Sequence, residues 1–163
     1  MGTLLLRSLV AALTLHSMIT VRVQTVKNAP SQAAEAEFRA RIERYYAAWN
    51  TLNLDSAAPY YAKDAGLVFY DIAPLKYNGW EQYKNGVNSN FFDKVSSAKL
   101  VPYHDLKITL RGNVAWTTLT FHFSAAFKTG TVLELDCRHT AIWERRGKQW
   151  MIVHEHVSVP QPG

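Results

Sequence analysis

This sequence is short of several things. It has a single cysteine, Cys137, so no disulfide within the chain can hold the fold. Its place on an apolar strand face predicts a small buried residue, not a nucleophile. Long hydrophobic runs are missing too. The longest candidate, Leu9–Val21, is diluted by Thr14, His16, Ser17 and Thr20. A membrane-spanning helix needs roughly 20 apolar residues, so no stable membrane span is expected. Dense basic runs are absent apart from Arg145-Arg146-Gly147-Lys148, which has the composition of a hairpin turn. Nucleic-acid binding is therefore unsupported.

Acid is also missing from the first 34 residues, the first being Glu35. Arg7 before a semi-apolar stretch predicts a secretory signal peptide and cleavage region over 1–29, hence a secreted or periplasmic protein, the other reading being a disordered or amphipathic N-terminal tail. A polar linker over 30–34 follows. Of the net charge of +5, three positives belong to Arg7, Arg22 and Lys27, leaving +2 for the rest. The 163 residues are 48% hydrophobic and 19% charged, which fits one globular domain with a real core. That domain is expected over 35–160, with no internal repeat.

Periodicity supplies the elements. Phe38, Ile42, Tyr45, Tyr46 and Trp49 recur at helical spacing, predicting a helix over about 33–50. Asp55 can cap a short second helix through Ala62, and Asn78 a third with Trp80, Tyr83, Val87 and Phe91 on one side. Leu67–Asp71 is a β-prone run ending on an acid. Four strands close the chain, at about 99–110, 114–127, 131–145 and 149–159. Three helices followed by an antiparallel meander make an α+β fold.

The C-terminal hairpin carries the chemistry-bearing residues. Side chains two apart on a strand share a face. Leu133, Leu135, Cys137, His139, Ala141 and Trp143 form one face, apolar but for a histidine. Strict alternation then groups Trp150, Ile152, His154 and His156 on one face of the last strand and Glu155 on the other. His139, His154 and Trp116 are expected to converge on a pocket, with His156, Thr118 and Trp49 lining it. Each histidine has a second reading as a hydrogen-bonded sheet residue without chemistry. His-x-His on a strand is a weak metal signal, and no metal is expected.

Arg44-Tyr45-Tyr46-Ala47-Ala48-Trp49-Asn50, Tyr61-Ala62-Lys63-Asp64-Ala65, Tyr70-Asp71 and the C-terminal hairpin together resemble the nuclear transport factor 2-like superfamily, also called SnoaL-like or ketosteroid-isomerase-like. The hairpin is most similar to the association domain of calcium/calmodulin-dependent protein kinase II. The resemblance implies a curved antiparallel sheet wrapped around three N-terminal helices, a cone-shaped α+β barrel. It implies a small-molecule ligand, no cofactor, and a homodimer or higher homo-oligomer. Tyr45 falls where the steroid isomerase branch carries its oxyanion-hole tyrosine, and Asp71 where it carries its carboxylate base. The branch's second donor, an aspartic acid, falls near His139. Two function classes follow. One is a lyase, isomerase or hydrolase with Asp71 as base and Tyr45 and His139 as polarising donors. The other is a binding or oligomerisation module without chemistry, in which Asp71 anchors the following loop.

Overall fold

The computed structural model of the chain describes residues 32–161. The signal-peptide reading of 1–29 lies outside the described residues. Residues 32–34 of the expected linker are already helical. Helix α1 (Gln32–Trp49) buries the expected stripe of Phe38, Ile42, Tyr45, Tyr46 and Trp49. Each ring that leaves water there contributes roughly 1.5–3 kcal/mol, which holds the helix against the sheet. Helix α2 (Leu54–Ala57) begins two residues earlier than expected because Asn53, not Asp55, is its cap, its side chain accepting from the Asp55 N–H. A 3₁₀ turn, Ala58–Tyr60, takes Pro59 in its first positions.

Strand β1 (Val68–Tyr70) is followed by β2 (Tyr77–Asn78), helix α3 (Gly79–Asn90), and strands β3 (Val95–Pro102), β4 (Lys107–Arg111), β5 (Val114–Phe127), β6 (Val132–Arg146) and β7 (Gln149–Ser158). Gly86 on α3 sits where an added Cβ would come 2.1 Å from the Tyr77 ring, so only glycine lets that ring pack onto the helix. The β6–β7 turn is the two-residue Gly147-Lys148, with Gly147 at φ +64° as a II′-type hairpin demands.

The sheet runs β2-β1-β7-β6-β5-β3, with β4 also on β5. It is the expected curved sheet, with one strand divided and one pair parallel. The run expected as one strand over 99–110 is two, broken between Pro102 and Lys107. Both pair with β5, β3 along its second half and β4 along its first. Strand β1 lies parallel to β7, not antiparallel. The sheet curls around the helices but does not close, so the cone is an open one. On the inner face Trp143, Ile152, Ala115, Ala141 and Phe69 are fully buried under α1 and α3.

Candidate functional site

Strand β7 does not alternate throughout. Trp143 pairs with Ile152 and Ile142 with His154, so Val153 is an extra residue, a β-bulge. A one-residue insertion moves every later side chain to the opposite face. Ile152 and Glu155 therefore both point inward, and Glu155 is only 1% exposed.

A carboxylate buried this deep survives only when its oxygens are filled. Four donors from four segments do so. Tyr45 of α1 donates to Oε2 at 2.5 Å. Tyr83 of α3 donates to Oε1 at 2.8 Å. Tyr61, after the 3₁₀ turn, reaches both oxygens at 3.0 and 2.9 Å. His139 Nε2 of β6 lies 3.2 Å from Oε2. The outer ring is tied in too: Tyr46 Oη meets His139 Nδ1 at 2.7 Å and Trp49 Nε1 donates to Tyr61 Oη at 3.2 Å. Burial pushes the Glu155 carboxyl up, but the hydrogen bonds from His139, Tyr45 and Tyr83 outweigh it and hold it below the usual carboxylate range. Burial, then the Glu155 charge, pushes the phenols of Tyr45, Tyr61 and Tyr83 well above their ordinary value.

Beside this cluster opens a cavity of about 220 Å³. Its wall is mostly apolar, with Phe91, Phe121, Phe123, Leu133, Leu135 and Val157 contributing. Tyr45, Tyr46, Trp49, His139 and Glu155 form its polar end. Asp71 also faces it. The residue follows β1, where Phe69 points in and Tyr70 points out, so alternation turns Asp71 inward. Its Oδ1 accepts the Ile72 N–H at 2.7 Å. The other oxygen has no hydrogen-bond partner among the described residues. Burial raises its pKa to about 6; the Ile72 N–H opposes that shift, and the Glu155 charge adds to it. Asp71 thus faces the cavity and anchors the loop at once, one oxygen to each.

Tyr45, Asp71, His139 and Trp49 come together on this cavity. The other expected residues do not. Trp116 is 40% exposed and pairs with Ile142 on the outer face, because Ala115 and Thr117 take the inward positions of β5. Thr118 shares that outer face with Thr140. The bulge turns His154 and His156 outward. His154 Nδ1–H donates to the Val68 carbonyl at 2.8 Å, tying β7 to β1, and both rings meet Tyr70 edge-on. Tyr45 departs in role: its single hydroxyl hydrogen goes to Glu155, not to the cavity. Glu155 itself was assigned by alternation to the wrong face. The available signal was indirect, since Tyr45, Tyr61 and Tyr83 on inner faces all need an acceptor.

Among the described residues no group of three or more His, Cys, Asp or Glu is arranged to hold a metal ion. No described helix is long and apolar enough to cross a membrane.

The curled sheet over three helices is the cone fold of the nuclear transport factor 2-like class. Solved structures of that class superpose on it. One is an NTF2-like superfamily protein from Salmonella enterica serovar Typhimurium (21% identity, 78% of this chain and 92% of that one, TM-score 0.68). A second is a putative calcium/calmodulin-dependent protein kinase II association domain from Xanthomonas campestris (23% identity, 82% and 92%, TM-score 0.66). A third is a putative dehydratase of the NTF2-like family from Streptomyces avermitilis (12% identity, 78% and 97%, TM-score 0.68). At these identities the likeness is one of fold. The SnoaL-like domain profile matches residues 39–162, and the chain belongs to that family. No curated protein matches it.

Proposed function

We propose that the cavity binds a small, largely apolar organic molecule and that Asp71 acts on it as a general base, in cofactor-free lyase, isomerase or hydrolase chemistry. The observation that carries this reading is a half-free carboxylate on an apolar wall with a pKa raised to about 6. A base poised near neutrality is efficient because it is ionised yet still basic. Asp71 would take a proton from a carbon made acidic by a neighbouring electron-withdrawing group. Tyr45 and His139 both give hydrogens to Glu155, so neither is a spare donor for that group, and Tyr46, which meets His139 Nδ1, is the remaining wall hydroxyl. Fold neighbours at 12% and 11% identity, a putative dehydratase and a hexachlorocyclohexane dehydrochlorinase, indicate that this fold can host chemistry of this kind.

The test is solvent-deuterium incorporation into a panel of small ketones and aryl esters. Asp71→Asn is expected to slow exchange roughly a hundredfold or more with the fold retained. Equal exchange by both proteins would remove Asp71 from the chemistry. Export is part of the proposal: protein recovered from its host should lack the residues before about Ala29, and an intact mass that includes Met1 or Gly2 would exclude it.

A second reading, a homo-oligomerisation module, is favoured by the outer sheet face, where Val114, Trp116 and Ile142 stay 41%, 40% and 36% exposed. Light scattering at micromolar concentration decides it, a dimer or larger mass being expected and a monomer mass counting against it.

A further inference from the structure

A second cleft lies away from Asp71, between the first half of α1 and the tips of the β4–β5 and β6–β7 hairpins. We propose that it binds an oxyanion, a phosphate or carboxylate carried on a flat apolar body. Arg41 and Arg44 reach it from α1, Arg145 from the end of β6 and Lys148 from the hairpin turn. Glu37 is the one acid on its wall, so the lining carries a net charge of three positives. Among the described residues none of these four cations is in an ion pair. Their neighbour Arg146 is paired twice, with Asp64 and with Glu144. The chain therefore has acids within reach of this end of the sheet, yet leaves the cleft cations without them.

Arg41 is the buried member. It is half-buried, its Nη2 donates to the Trp150 carbonyl, and its guanidinium lies 5.0 Å from the Tyr60 ring centre. Its Nε–H is buried with no acceptor among the described residues. Burial lowers its pKa, and the adjacent Arg44 charge lowers it further against an opposing pull from Tyr60. Gathering like charges into a partly desolvated cleft is unfavourable until an anion enters, and it focuses positive potential there. Guanidinium forks match the geometry of phosphate and carboxylate oxygens.

The rest of the wall says what else the ligand carries. Phe38, Leu110 and Trp150 line the cleft beside the cations, and it encloses about 330 Å³. An aromatic or similarly flat group fits there. The leading segment of the chain does not supply the anion from a side chain, because residues 1–34 contain no Asp or Glu.

Titration calorimetry with phenyl phosphate, benzoate and inorganic phosphate tests the proposal. Phenyl phosphate or benzoate should bind saturably to the full chain, and more tightly than inorganic phosphate. Binding should weaken as salt rises. The double variant Arg44→Ala/Lys148→Ala changes two exposed side chains and should weaken binding at least about tenfold, as loss of two charge-assisted contacts requires. Asp71→Asn should bind these probes as the unmodified chain does, which separates this cleft from the cavity. A preference for phenyl phosphate assigns a phosphate ligand, and a preference for benzoate a carboxylate. Absence of saturable binding, or equal binding by the double variant, overturns the proposal.

Discussion

Glu155 and Asp71 line the same cavity, and their surroundings push them in opposite directions. Glu155 is buried but fully paired, with three phenols and an imidazole on two oxygens, and its pKa falls. Asp71 is less deeply placed but has one backbone N–H and an apolar wall, and its pKa rises to about 6. Burial alone does not decide ionisation; the count of donors does. Two carboxyl groups driven apart in this way can divide labour, one holding shape and the other exchanging protons.

The largest effect should come from emptying the paired site. Glu155→Ala leaves Tyr45, Tyr61, Tyr83 and His139 with buried donors and no acceptor. A loss of about 3–5 kcal/mol is expected, as for other buried ionic groups stripped of a partner. Urea unfolding measures it. A loss under about 1 kcal/mol would mean that the cluster is not what joins helices to sheet.

The pH dependence of stability comes next, and there the two groups oppose each other. Asp71 has a folded pKa above its ordinary 3.8, so the folded chain holds more protons between 3.8 and about 6. Its contribution therefore weakens stability as pH rises through that window, by up to about 3 kcal/mol for a shift of this size. Glu155 has a lowered folded pKa. Its contribution is present above the unfolded value and is lost as pH falls through the folded one. Unfolding free energies of the unmodified chain and Asp71→Asn, measured from pH 4 to 7, should diverge in favour of the variant up to about pH 6 and keep that gap above it. Parallel curves would mean that Asp71 is solvated.

The same pair marks the limit of what could be read from sequence. The α1 stripe and the inner face of β6 were legible because those stretches keep strict period. On β5 the two faces were exchanged: Ala115, Thr117, Leu119, Phe121 and Phe123 point inward, where Trp116 and Thr118 were expected. Asp71 was legible because it ends a short strand whose Phe69 must be core. Glu155 was not, because the Val153 bulge breaks the period and the sequence carries no mark of it. Trp116 misled differently. A large aromatic suggests a core, yet partner strands on both sides of β5 put its register position outside.

Tyr46→Phe sharpens the account of the paired site. It removes the hydroxyl that meets His139 Nδ1 at 2.7 Å while keeping the ring against Phe121. His139 then lacks one buried partner, at a cost of about 1–3 kcal/mol. Urea unfolding should place it between Glu155→Ala and the unmodified chain. A neutral result would mean that the network ends at Glu155.

The smallest effect is expected on the outer face, where the same residue types meet in water. His122 sits between Glu134, 2.6 Å from Nε2, and Asp136, 3.0 Å from Nδ1, and Tyr103 donates to Asp136 at 2.7 Å. Histidine, carboxylate and phenol are all present, as around Glu155, but His122 keeps 39% of its side chain exposed. The hydrogen bonds to Asp136 and then Glu134 raise its pKa above 6.5. Its contribution to stability is present below 6.5 and is lost as pH rises through the folded value. Solvent and salt screen such a group, so the ring should titrate with a raised midpoint that moves back toward 6.5 as salt approaches about 1 M, where the Debye length is about 3 Å. The ring C–H resonance of His122 followed by NMR measures this. Glu155→Ala should lose far more stability than His122→Ala. If the two losses match, or if the His122 midpoint ignores salt, exposure is not what separates the two clusters.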